Sequence, residues 1–173
     1  MFGAPLVSKL NSEQKRMATS MIQSIYQFGK RIKTVYLVPC AVFIMLLLSI
    51  ITNLISNLFS SRLKTGFPEF KSYWEEIAAG LIIAPLLETI FLQCAIIESF
   101  KAKSKIKWGV PVSATIFGLL HFYNPFYFIY GILAGFVLGF VYVIPDLLWK
   151  RILFTYFTHL LYNLTVFILS KEG

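Results

Sequence analysis

Four polar residues stand inside otherwise hydrophobic runs of this chain: Glu88, His121, His159 and Asn163. A charged group at mid-span costs on the order of 2.5–3.5 kcal/mol even on lenient insertion scales, so the carboxyl must be protonated, hydrated or paired. Every Lys and Arg reads as lying outside the spans, so the ionic partner of Glu88 can only be His121 or His159. A buried carboxylate beside an imidazole can share a proton with it and take one from water. A second imidazole and a carboxamide can donate hydrogen bonds to a developing oxyanion. That set makes a hydrolase without a covalent intermediate, and no Cys or Ser stands in an obvious nucleophile motif. Each residue also has a structural reading. Glu88 fits a protonated bridge between helices, His121 an interfacial ring beside Tyr123 and Asn124, and His159 with Asn163 interhelical glue. All of these together is the weaker reading, because such costly groups seldom accumulate on three spans of a small protein without use. Glu98, followed by four lysines, reads as a solvated charge at a helix end.

The elements that must position these residues follow from hydropathy. Apolar runs at 35–59, 77–100, 108–122, 126–144 and 152–169 predict five transmembrane helices, the third and fourth shorter or more tilted than a standard span. The fold class expected is therefore all-α, a polytopic helix bundle. Helix rise puts Glu88 roughly 18 Å above its Lys-rich end, His121 about 20 Å, Asn163 about 16 Å and His159 about 10 Å. These heights are compatible with one site. His159 and Asn163 are four apart and share a face, as do Phe117 and His121. Pro85, three residues before Glu88, removes a helix hydrogen bond and leaves free carbonyls near the acid. Gly131, Gly135 and Gly139 form a small-residue ridge along which another backbone can pack closely.

Residues 1–34 form a separate basic segment in which Met17, Met21, Ile25, Phe28 and Ile32 recur at helical spacing, predicting an amphipathic helix on the membrane surface or docked on the bundle. Residues 35–173 form the membrane-embedded domain. Hydrophobic residues make up 57% of the 173 and charged ones 14%, which excludes an ordinary soluble domain. The net charge of +8 does not point to nucleic acid, because the basic residues collect beside the spans as topology signals and headgroup contacts. With the N-terminus inside, twelve Lys and Arg face the cytoplasm and four face out. Cys40 and Cys94 lie in apolar runs, against a disulfide framework.

Spans two, three and five resemble the CAAX protease and bacteriocin-processing (CPBP, ABI) family of intramembrane proteases. The family pattern is Glu-Glu-x-x-x-Arg, then Phe-x-x-x-His, then His-x-x-x-Asn. Phe117-Gly-Leu-Leu-His121 and His159-Leu-Leu-Tyr-Asn163 match the second and third elements. The stretch 135–142 is also similar, and the resemblance covers about residues 75–169. Glu88 keeps the first glutamate, while Thr89 and Gln93 stand where the second glutamate and the arginine would be. A neutral pair four residues apart thus replaces a charged one on the same helix face.

The resemblance implies an intramembrane endopeptidase in which Glu88 and His121 activate water and His159 and Asn163 stabilise the oxyanion, with Phe117, Thr89 and Gln93 in support. Its substrate would be a peptide or membrane-protein tail admitted from the cytoplasmic side, its other partner the lipid bilayer, and its location a bacterial plasma membrane. If the missing glutamate or arginine holds substrate or water, the chain is instead an inactive relative acting as a membrane binding or immunity protein. Metal-free catalysis is the expectation, with zinc on Glu88, His121 and His159 as the alternative. A proton-coupled transporter using Glu88 is a third reading, disfavoured by the lack of an internal repeat.

Overall fold

The structure, a computed structural model, describes residues 34–59, 72–122 and 124–172. The helix expected within 1–34 lies, apart from Thr34, outside the described residues. Five helical elements follow one another: α1 (Thr34–Phe59), α2 (Tyr73–Ala102), α3 (Ile106–Leu120), α4 (Pro125–Val143) and α5 (Leu148–Glu172). No strand occurs among the described residues, and the fold is an all-α bundle. Among the described residues four helices, α1, α2, α4 and α5, are long and apolar enough to cross a membrane. The third helix is short, as expected: the 15 residues of α3 extend only about 22 Å against a hydrocarbon core of roughly 30 Å, whereas α4, also expected short or tilted, is long enough to cross. Helix α3 ends at His121 because the next helix begins almost at once, with the Asn124 side chain accepting from the Tyr127 N–H (2.8 Å).

The short helix is held by its neighbour. A Cβ placed on Gly135 would stand 2.8 Å from the Ala114 Cα and 3.1 Å from the Phe117 Cβ, and one on Gly131 3.0 Å from the Gly118 Cα. Glycine at these positions lets the two backbones approach directly, the packing use expected of the ridge. Phe117 and His121 are thereby fixed against α4. Phe117 joins Met45, Leu92, Tyr130, Ala134, Leu138 and Tyr162 in the central core. Leu47, Ile51, Leu54 and Leu58 on α1 face outward, as apolar residues do where lipid replaces water.

Helix α2 is not regular. Glu76–Ile83 and Thr89–Ala95 are wound as wide π turns on either side of Ala84–Glu88. The Ala84 N–H reaches back five residues to the Ala79 carbonyl. The same register would pair the Gly80 carbonyl with residue 85, a proline without an N–H. That carbonyl instead accepts from the Asn163 carboxamide of α5, at 3.2 Å. The free carbonyl expected from Pro85 exists and has a partner on another helix.

Between α2 and α3 the chain turns through Ser104, whose φ of 57° is the left-handed conformation. Ser104 N–H donates to Lys101 O (2.9 Å) and Lys105 N–H to Phe100 O (2.8 Å), closing α2 with the paired bonds of a Schellman cap.

Candidate active site

Glu88 stands at the end of the regular turn between the two wide ones. Wide turns of this kind recur where a helix must present a functional group. From α3, His121 brings Nε2 to 3.8 Å from Glu88 Oε1. From α5, His159 brings Nε2 to 3.6 Å from Glu88 Oε2. The elimination made from sequence therefore holds twice over, because both imidazoles face the acid. Neither pair is in direct hydrogen-bond contact, and each gap suits a group held by both sides. The Glu88 side chain keeps 23% of its surface accessible, His121 18% and His159 6%.

The ring of His121 has an assignable proton. Its Nδ1 lies 2.8 Å from the Phe117 carbonyl oxygen, which can only accept, so Nδ1 is the donor. In the neutral ring, Nε2 then offers a lone pair toward Glu88. A carboxylate and a lone pair facing each other repel unless a proton or a donor lies between them. Phe117 braces both histidines, stacked on His121 at 4.3 Å between centroids and tilted against His159 at 5.6 Å. The i, i+4 pairing read from sequence is this stack.

Thr89 and Gln93 are fully buried beside the acid. Gln93 Oε1 accepts from the Ser113 hydroxyl of α3 at 2.8 Å, a partner that sequence reading missed because Ser113 lies 20 residues away. Asn163 shares the His159 face but spends one amide hydrogen on Gly80, leaving the second for another acceptor.

Sequence reading also missed the pairing of Glu98 with Arg151. Arg151 lies in the first turn of α5, and its Nη1 donates to Glu98 Oε1 at 2.7 Å while its Nε donates to the Pro145 carbonyl at 2.7 Å. The Tyr142 hydroxyl donates to the same carboxylate at 3.2 Å, and Lys101 Nζ stands 3.3 Å away. Glu98 is thus a clasp joining α2 to α4 and α5. Cys40 and Cys94 are both free thiols.

Among the described residues no group of three His, Cys, Asp or Glu side chains is arranged to hold a metal ion.

No curated protein and no solved structure shows significant similarity to this chain. The family model for type II CAAX prenyl endopeptidase Rce1-like proteins matches residues 70–165. That stretch exceeds half the chain and contains Glu88, Phe117, His121, His159 and Asn163. Within it the helices bring Glu88, Phe117, His121 and His159 together, and the chain belongs to the Rce1-like family of membrane CAAX proteases.

Proposed function

We propose that this protein is an intramembrane endopeptidase that hydrolyses a peptide bond near a membrane-embedded tail, using Glu88 and His121 to activate water. The observation carrying this reading is the facing pair of acceptors, Glu88 Oε1 and His121 Nε2, 3.8 Å apart, with the opposite ring nitrogen tied to Phe117 O. One water can donate a hydrogen to each, which satisfies both and turns an oxygen lone pair toward the substrate. As that oxygen attacks the carbonyl carbon, one proton passes to the Glu88–His121 pair and the C=O electrons move onto oxygen. His159 and the uncommitted Asn163 hydrogen supply donors for the oxyanion. Collapse of the tetrahedral intermediate breaks the C–N bond, and the stored proton goes to the leaving amine. Acid and base are regenerated without an acyl-enzyme.

The neutral Thr89–Gln93 pair supports activity with a braced rather than charged helix face, since Gln93 is held by Ser113. The loop charges favour an N-terminus on the cytoplasmic side, and the substrate is a peptide or protein tail admitted from that side.

The test is cleavage of a membrane-tethered reporter by purified protein in lipid nanodiscs. Glu88→Gln and His121→Ala should each abolish cleavage while thermal unfolding and membrane insertion stay as in the wild type. Retention of the full biological effect by both variants would instead identify an inactive relative that works by binding.

A further inference from the structure

His159 can donate to an oxyanion only in the tautomer that carries its proton on Nε2, the nitrogen facing Glu88. Its Nδ1 must then accept a hydrogen bond. That atom is buried and has no protein partner, and the whole residue is only 5% exposed. Thr89 Oγ1 and Gln93 Nε2 on α2 and Thr155 Oγ1 on α5 are likewise buried without a protein partner. These three residues are at most 1% exposed.

In sequence these residues fall between the same two approaches of α2 to α5, where Glu88 faces His159 across 3.6 Å and Glu98 is bonded to Arg151 at 2.7 Å. Thr89 and Gln93 lie in that interval on α2, and Thr155 lies in it on α5. Thr155 precedes His159 by four residues, so it lies on the same face. Helical side chains lean toward the N-terminus, which tips the His159 ring toward the Thr155 hydroxyl.

Thr155 also differs from other helical threonines here. Thr52, Thr115, Thr158 and Thr165 each donate to the carbonyl four residues before, at 2.7–2.9 Å. Thr89 and Thr155, the two that border the site, do not. Leaving buried polar atoms unpaired costs about 1–3 kcal/mol each, and polar groups clustered in this way are where internal water is held. The direction of the bonds is set as well. Ser113 occupies Gln93 Oε1, which turns the donor-only amide nitrogen to the opposite side.

We propose that Thr155, together with Thr89 and Gln93, holds internal water that donates to His159 Nδ1 and so fixes His159 with its proton on Nε2. Thr155 is on this reading a positioning residue, acting on the oxyanion through His159. Its catalytic consequence rests on the proposed protease activity, but the tautomer itself does not.

Because the chain contains only two histidines, ¹⁵N-histidine labelling of the full-length protein in nanodiscs gives two sets of ring signals, and His121→Gln assigns them. The wild type should show His159 as a neutral ring with Nε2 protonated and Nδ1 an acceptor. Thr155→Ser should preserve this pattern. Thr155→Val should convert His159 to a mixture of tautomers and lower kcat by about tenfold with KM unchanged. Gln93→Met should move the ring in the same direction and covers the case in which Thr155→Val fails to fold. A wild-type His159 protonated on Nδ1, or folded Thr155→Val and Gln93→Met proteins with the wild-type ring pattern, would overturn the inference. Absence of cleavage by a wild type showing the expected tautomer would count against the protease reading alone.

Discussion

Helix α2 brings two acids, Glu98 and Glu88, to α5, and the two meetings are built differently. At the Lys-rich end, Glu98 takes 2.7 and 3.2 Å hydrogen bonds from Arg151 and Tyr142, and the arginine fork is completed by a backbone carbonyl. At mid-helix, Glu88 has two imidazoles at 3.6 and 3.8 Å and contacts neither directly. Guanidinium is permanently charged and closes tightly on a carboxylate. Imidazole can be donor or acceptor and can exchange a proton. Closure serves the join between helices, whereas a gap serves a reactant that must enter and leave. Distance as well as residue type separates a brace from a site.

The largest way to break this contrast is at the open meeting. Glu88→Gln preserves shape and removes the base, and cleavage in the reporter assay should fall by about 10³-fold or more with the melting temperature little changed. An equally large loss of folding would show that Glu88 is itself a brace. Next comes Gly135→Val, which forces atoms onto the Ala114 backbone and should cost about 1–3 kcal/mol, read as a lower melting temperature. Because Phe117 lies on the same contact, the surviving folded fraction should also cleave more slowly. At the tight meeting, Arg151→Leu should cost about 1–2 kcal/mol, a value discounted because the Glu98 side chain is 30% exposed and keeps Lys101. Cleavage per folded molecule should stay within about twofold of wild type, since Arg151 touches no reacting group. The smallest effect is expected at Ser104→Gly, where relief of the left-handed strain should stabilise by about 0.5–1 kcal/mol in chemical denaturation.

Sequence alone carried the helices and the cluster, because both depend on patterns that burial enforces. Apolar runs set the helices, and the lack of a Lys or Arg beside Glu88 left only His121 and His159 to face it. The Phe117–His121 stack and the glycine ridge followed from spacing four. What escaped reading depends on register and on distant pairs. Arg151 was missed because the fifth helix starts at Leu148 rather than at 152, so its first polar turn was taken for loop. Ser113 was unremarkable until α3 turned it onto Gln93. Pro85 announced a free carbonyl, but only the wide turns of α2 decide that it belongs to Gly80 and faces Asn163.

That last contact has a mechanical consequence. A backbone defect in α2 can be filled only by a side chain reaching in from α5, so the two helices are indexed against each other like a pin in a slot. Sliding α5 by one turn would empty the slot and carry both His159 and Arg151 past their acids together. The depth of the imidazole in the membrane is therefore dictated by a missing hydrogen on Pro85, one helical turn before the acid that the ring faces.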